Sequence, residues 1–571
     1  MIKYRSKLVL GTIFIICGNI IGIFNPVVVQ QAIDYLAKDI EVNTLLMYAG
    51  LVVLISLGQG LFRFLMRQTV IVASRLIEND FRNELFAHLQ KLSAKFFHAM
   101  PTGDIMARMT NDLNAVRGVL GPGIMYSINT LITFAFVITM MLRISPMLTM
   151  FALIPIPLMA VLVNRFGMQI HKRYKEIQAH FSKISTKAQE NLSGIRIIKS
   201  YVQEENEIKE FNLLNKEYIK KNMAYARVYA AFHPMMMFIV GIGIILVLFI
   251  GGKLIINKII TLGEFVAFTL YLGMLIWPSI ALGWVVGIFQ QGKASMQRIN
   301  EIIYSEPDIA DNNKTRNVVN INGDITVSNL NFSYEGSDQK ILHDICFKIE
   351  AGKILAIVGK TGSGKSTFIN LLTRTFDPPS RTMFIDNVDI KEIPLIALRN
   401  NIGYVPQETF LFSDSIQENI SFGLEEPTAE EIANAAKITQ IHDSIIDFPD
   451  SYETMLGERG INLSGGQKQR VSIARAILKS PKILILDDCL SAVDTITEEK
   501  ILHELKDIMK DKTCIWISHR ISAIKDADKI IVLDDGRIVE EGTHSKLLKL
   551  NGIYADLYEK QQLKEALDVV E

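Results

Sequence analysis

Residues 353–373 read Lys-Ile-Leu-Ala-Ile-Val-Gly-Lys-Thr-Gly-Ser-Gly-Lys-Ser-Thr-Phe-Ile-Asn-Leu-Leu-Thr. The opening apolar run predicts a short buried strand and the closing run a helix. Between them Gly359, Lys360, Thr361, Gly362, Ser363, Gly364, Lys365, Ser366 and Thr367 have the spacing G-x-x-x-x-G-K-[ST], in the strand–loop–helix context that a phosphate-binding loop requires. Glycines let backbone N–H groups wrap phosphates, and the helix N-terminus adds a favourable potential. Lys365 is then expected to neutralise β/γ-phosphates, and the Ser366 hydroxyl to hold Mg²⁺.

Downstream, Lys482-Ile-Leu-Ile-Leu486 predicts a second buried strand, ending in Asp487-Asp488. A carboxylate at such a strand end suits Mg²⁺, which is the role expected of Asp487. Asp488 is expected to reach a water behind the γ-phosphate.

Upstream of about residue 300 the chain is different. Six apolar stretches, near 8–30, 45–62, 123–142, 147–163, 235–257 and 262–289, are each long enough to cross a hydrocarbon core of about 30 Å. Pro155, Pro157 and Pro278 lie inside two of them, as kinks that membrane helices tolerate. The first stretch is too long for a signal peptide and lacks a small-residue cleavage pattern. Lys3, Arg5 and Lys7 predict a cytoplasmic N-terminus, and six crossings return the C-terminus to that side. The long connections, 63–122 and 164–234, then fall in the cytoplasm and are expected to be helical extensions. Segment 552–571 reads as a solvated amphipathic helix.

Sixty Lys plus Arg balance sixty Asp plus Glu in 571 residues, of which 49% are apolar, so disorder and a broadly basic nucleic-acid binder are both excluded. Cys17, Cys346, Cys489 and Cys514 form no C-x-x-C pair, which argues against a disulfide framework or zinc site.

Leu463-Ser464-Gly465-Gly466-Gln467, continuing Lys-Gln-Arg-Val-Ser-Ile-Ala-Arg475, resembles the signature motif of ATP-binding cassette (ABC) proteins. With the six stretches before it, the chain resembles an ABC exporter half-transporter over almost its full length. The resemblance implies an all-α polytopic membrane domain of six transmembrane helices with long cytoplasmic extensions, then an α/β P-loop nucleotide-binding domain. The expected bounds are 1–305, a linker 306–320, and 321–571. By similarity, Tyr334 stacks on adenine, Gln407 touches Mg²⁺ and the attacking water, and His519 contacts the γ-phosphate. Ser491 and Asp494, in Ser-Ala-Val-Asp, belong to a loop linking two ATP sites. Residues 96–104 and 194–200 resemble the two coupling regions. The signature serves an ATP held by a second half, so the resemblance implies a dimer in a bilayer.

Two positions depart from the family pattern. Asp488 stands where Glu is usual, which is typical of the slow site in heterodimeric exporters and favours a heterodimer over a homodimer. Met455, in Thr454-Met-Leu-Gly-Glu-Arg459, replaces an acidic residue. The spans hold few charges but several methionines, with Trp277 and Trp284, which suits hydrophobic or amphipathic small molecules. Lipid or peptide export is the alternative, and a non-pumping ATP-gated regulator or channel subunit is a third reading.

Overall fold

A computed structural model describes residues 2–37, 41–312, 315–316, 320–336, 339–457, 460 and 462–568. It divides into two compact units, residues 1–90 with 101–305, and residues 91–100 with 306–571.

The first unit carries six long helical segments: Arg5–Leu36, Val42–Leu89, Thr102–Ile144, Pro146–Ser193, Glu204–Ile256 and Leu262–Ile303, here spans 1 to 6. Crossing the hydrocarbon layer takes about 20 residues. Span 5, at 53 residues, is about 80 Å long and therefore runs far past the lipid. Connections 63–122 and 164–234 are accordingly continuous helix, broken by short turns that hold the small helices Ala94–Ala99 and Ile195–Ser200.

Beyond the lipid, spans 4 and 5 zip along polar and aromatic contacts. Lys187 bridges Glu207 at 2.7 Å and Glu210 at 2.6 Å, and the His180 ring pairs with the Leu214 carbonyl at 2.9 Å. Pro155 and Pro157 lie inside span 4, at a one-residue break at Ile154 that keeps helical φ and ψ of −54° and −42°. A turn at Ile154 ends one helix and Pro155 opens the next, where its missing N–H costs nothing. Spans 2 and 3 contain π-helical turns at Arg67–Ile71, Arg108–Asp112 and Val119–Gly123.

Spans 1 and 6 are fastened twice. The buried Tyr271 hydroxyl donates to the Ile23 carbonyl at 2.9 Å. Asp34 accepts from the Thr261 hydroxyl at 2.9 Å and the Gly263 N–H at 3.0 Å. Spans 1 and 3 share a polar contact of Asn19 with Asn129 at 2.9 Å and Thr133 at 2.8 Å.

The second unit is built on two sheets. Strands β1 (Ile325–Phe332), β2 (Leu342–Ile349), β4 (Met383–Ile385) and β5 (Val388–Asp389) form an antiparallel sheet in the order β2-β1-β4-β5. The other has the order β10-β9-β3-β8-β7-β6, with β3 at Ile354–Gly359, β6 at Ile402–Val405, β7 at Ile483–Asp487, β8 at Thr513–Ile517, β9 at Lys529–Asp534 and β10 at Arg537–Gly542. Strands β9, β3, β8, β7 and β6 run parallel. Both faces of β7 are covered, which is why it is uniformly apolar up to Asp487. Register pairs Ile517 with Ile357 and with Asp487, so the carboxyl ends of three strands meet at one edge.

Residues 91–100 lie inside the sequence range expected for the membrane domain but pack with the second unit. Lys95 pairs with Glu335, the Ser93 hydroxyl donates to Asp308 at 3.2 Å, and the His98 ring lies 6.0 Å from that of Phe376. Of the expected linker, residues 313, 314 and 317–319 lie outside the described residues. Its described part is tied to this unit, with Arg316 bonded to Glu392 at 2.6 Å.

Candidate functional site

The phosphate-loop residues leave β3 at Gly359 and enter helix Lys365–Leu372. Gly364 precedes that helix with φ at +100°, and a Cβ there would sit 2.7 Å from Leu342, so both backbone and packing require glycine. The Lys365 ammonium is buried and turned back onto its own loop, donating to the carbonyls of Gly359 and Lys360 at 2.8 Å each. Burial pulls its pKa down, against the neighbouring charges of Asp487 and Asp488.

A cavity of about 310 Å³ opens at the strand edge. Thr361, Gly362, Gly364, Lys365, Ser366 and Thr367 line it from the loop, with Asp487 and Asp488 from the end of β7, His519 after β8, Gln407 after β6, and Tyr334 at the rim. Residues scattered over nearly 190 positions thus face one space. Gly359, Lys360 and Ser363 shape the loop behind it.

Asp487 is buried, and burial raises its pKa, with Asp488 adding to the effect and Lys365 opposing it. Ser366, Gln407 and Asp487 present hydroxyl, amide and carboxylate oxygens around this space, a donor set that fits a hard divalent cation. A buried carboxylate with its pKa raised is the group such a cation stabilises, so Mg²⁺ is compatible with the residues present. When bound, it supplies positive charge to phosphate oxygens.

Asp488 takes left-handed φ of +46° and donates its N–H to the Ile517 carbonyl at 2.8 Å. The His519 N–H lies 3.5 Å from the Asp488 carboxylate, so strand ends β7 and β8 hold these two residues side by side. Tyr334 is braced edge-on by Phe332 and Phe376, each ring 5.1 Å away, and its hydroxyl donates to Thr367 at 3.1 Å. A braced phenol ring at the rim can stack on a base.

The signature residues are elsewhere: none of 463–467 is among the described residues lining that cavity. Ser464 caps helix Gly465–Leu478 in a reciprocal box, accepting from the Gln467 N–H at 3.3 Å while its own N–H donates to Gln467 at 2.9 Å. Ser464 and Gly465, at the start of that helix, are exposed. The Leu463 side chain is buried in the core and anchors the turn that carries Ser464. Asp494 caps helix Thr495–Met509 through the Thr497 N–H at 2.9 Å, which lowers its pKa. Met455 is exposed, and Glu458 and Arg459 of its motif lie outside the described residues.

Two positioning groups carry no role in the sequence reading. Gln469, buried on the signature helix, donates to the Ser491 hydroxyl at 3.1 Å and accepts from the Ala492 N–H at 2.9 Å. Ser491 in turn donates to the Asp488 carbonyl at 3.1 Å, so the helix Gly465–Leu478 is bonded to the loop that follows β7. Buried Glu498 pairs with Arg520, the residue after His519. The S-x-x-Q capping pattern was readable at Ser464, but nothing local marks Gln469 or Glu498.

The ABC transporter transmembrane region family matches residues 8–279, and the ABC transporter family matches residues 342–491. The chain is 38% identical over 562 residues to the probable multidrug resistance ABC transporter ATP-binding/permease protein YheI of Bacillus subtilis, covering 98% of this chain and 96% of that one. It is 36% identical over 545 residues to the multidrug resistance-like ATP-binding protein MdlA of Escherichia coli, covering 95% and 92%. An ATP-dependent lipid A-core flippase of Syntrophus aciditrophicus is 36% identical over 536 residues, covering 93% and 88%. Among solved structures, a bacterial Atm1-family ABC exporter with ATP bound superimposes with a TM-score of 0.80 at 28% identity, covering 98% of both chains.

Proposed function

Since the chain belongs to the ABC transporter family, as a multi-pass membrane half-transporter that couples ATP hydrolysis to transport, we propose that it exports hydrophobic or amphipathic compounds across the cytoplasmic membrane as one half of a heterodimer. The observation that carries this reading is the single cavity bringing the phosphate loop, Asp487, Asp488, His519, Gln407 and Tyr334 together in a chain with six membrane-length helices.

In this reading the loop N–H groups and Lys365 hold the phosphates of ATP, with Tyr334 against the base. Ser366, Gln407 and Asp487 hold Mg²⁺. Asp488 takes a proton from the attacking water, and His519 steadies the γ-phosphate. The exposed start of helix Gly465–Leu478 does not line this cavity, which favours a second cassette completing each site. Lys3, Arg5 and Lys7 favour cytoplasmic termini. The relatives named for multidrug resistance support small apolar cargo, while the flippase relative keeps lipid as a second reading.

Asp488 favours the heterodimer, since a shorter carboxylate makes a poorer base and the intact signature would complete a partner's competent site. The test is ATP hydrolysis in lipid nanodiscs, by the chain alone and combined with a half-transporter that carries Glu after its Mg²⁺ aspartate. Near-silence alone, with hydrolysis stimulated by hydrophobic compounds in the pair, is expected. Brisk hydrolysis by the chain alone would refute the heterodimer, and a pair indifferent to every hydrophobic compound would refute the cargo.

A further inference from the structure

We propose that Arg67, Gln68, Tyr126 and Trp284 form a binding site for an anionic amphiphile with a flat apolar body. A cavity of about 450 Å³ lies between spans 2, 3 and 6, with Arg67 and Gln68 on one wall, Pro122, Met125 and Tyr126 on a second, and Trp284 on the third. That volume lies within the range of small-molecule sites. The Tyr126 and Trp284 rings meet nearly edge to face, with centroids 5.1 Å apart at 66°. Two of the three π-helical turns of the unit, Arg67–Ile71 and Val119–Gly123, supply its walls. Such turns concentrate at functional sites.

The cavity's charge is what selects the ligand. Farther along the same helices, Arg75, Arg82 and Arg117 all face buried Glu78, at 3.1, 2.7 and 3.4 Å. Arg67 has no such partner: among the described residues no carboxylate lies within ion-pair reach of it. Arg67 is about 25 residues from the start of span 2 and Trp284 about 22 from the start of span 6, so both sit about 33–37 Å along their helices. That places the site just past a hydrocarbon layer of about 30 Å, at the membrane boundary on the side of the long connections. A guanidinium with free donors binds a carboxylate, sulfonate or phosphate. The aromatic pair and Met125 cover the flat apolar part, which reaches toward the lipid. The site refines the cargo class of the export reading and depends on that reading only for what happens after binding.

The experiment uses the full chain in phosphatidylcholine nanodiscs without nucleotide, following energy transfer from tryptophan to three pyrene probes. 1-Pyrenebutyrate, 1-pyrenebutanol and a pyrenebutyl-trimethylammonium salt share one body and differ in charge. Saturable transfer to the anion is expected, with affinity about tenfold above that of the other two, the scale of one charge-assisted hydrogen bond. Arg67→Gln should abolish that preference and Arg67→Lys retain part of it, while Trp284→Ala, which removes the aromatic wall, should abolish saturable transfer from the remaining tryptophans. High salt should weaken only the anion in the unaltered chain, a check that needs no substitution. Equal affinities for the three probes, unsaturable transfer, or a preference that survives Arg67→Gln would overturn the site and leave an interfacial aromatic belt. ATP hydrolysis that responds to hydrophobic compounds without saturable anion binding would sink this site alone. Saturable anion binding by this chain, with hydrolysis by its pair with a Glu-bearing half indifferent to the anion and to every hydrophobic compound, would sink the export reading and leave the site.

Discussion

Asp488→Glu should raise the rate of ATP hydrolysis at this site by about 100-fold. The backbone of residue 488 is held by its N–H bond to the Ile517 carbonyl at 2.8 Å and by its carbonyl, which accepts from the Ser491 hydroxyl at 3.1 Å. With the main chain pinned, an added methylene moves the carboxylate outward by about 1.3 Å. A displacement of about 1 Å in a reacting group costs on the order of 100-fold, which corresponds to about 2.7 kcal/mol of barrier. Phosphate release from Mg-ATP in nanodiscs, measured for the Asp, Glu and Asn forms, separates the possibilities. The gain should appear in kcat with KM nearly unchanged, because the loop that holds the phosphates is untouched. Equal kcat for Asp and Glu, with the Asn form inactive, would refute the reasoning: Asp488 would then already reach its water.

Burial raises the pKa of Asp487 above its ordinary value of 3.8, so its contribution to nucleotide-free stability is complete below that value and is lost as pH rises through the raised one. Asp487→Asn should therefore raise the nucleotide-free melting temperature at pH 7–8 and erase the gain from Mg-ATP; identical melting profiles from pH 4 to 8 would contradict this. Glu498→Ala strands Arg520, whose side chain is 38% exposed, and should cost about 2 kcal/mol, less than for a fully buried pair; urea unfolding of the chain, with unchanged stability as the contrary result, measures it. Ser464→Ala removes the helix cap and should lower stability by about 1 kcal/mol, with a further loss of hydrolysis at the partner's site that a purely local role would not produce.

The residues that line the one cavity were largely readable because their patterns are local: a glycine loop, a strand ending in Asp-Asp, and short runs around Tyr334, Gln407 and His519. Gln469 and Glu498 were not readable, since their roles come from partners 22 residues away in each case, Ser491 and Arg520. The spans were found by apolar content, which reports only the lipid-level portion. It says nothing of how far a helix continues once amphipathic faces pack on one another, as His180 and Lys187 do against span 5. Apolar content likewise could not show that residues 91–100 leave the helical unit to pack beside Glu335 and Phe376.

The two fastenings between spans 1 and 6 act together as a splint. Tyr271 on Ile23 and Gly263 on Asp34 lie about 12 Å apart along span 6. A single pin would allow two helices to pivot, and a purely apolar seam would let them slide. Two hydrogen-bonded pins at different heights resist both motions, so the ends of spans 1 and 6 beside the short loops are biased to move together. An opening at that end costs less if it parts this pair from its neighbours than if it passes between its members.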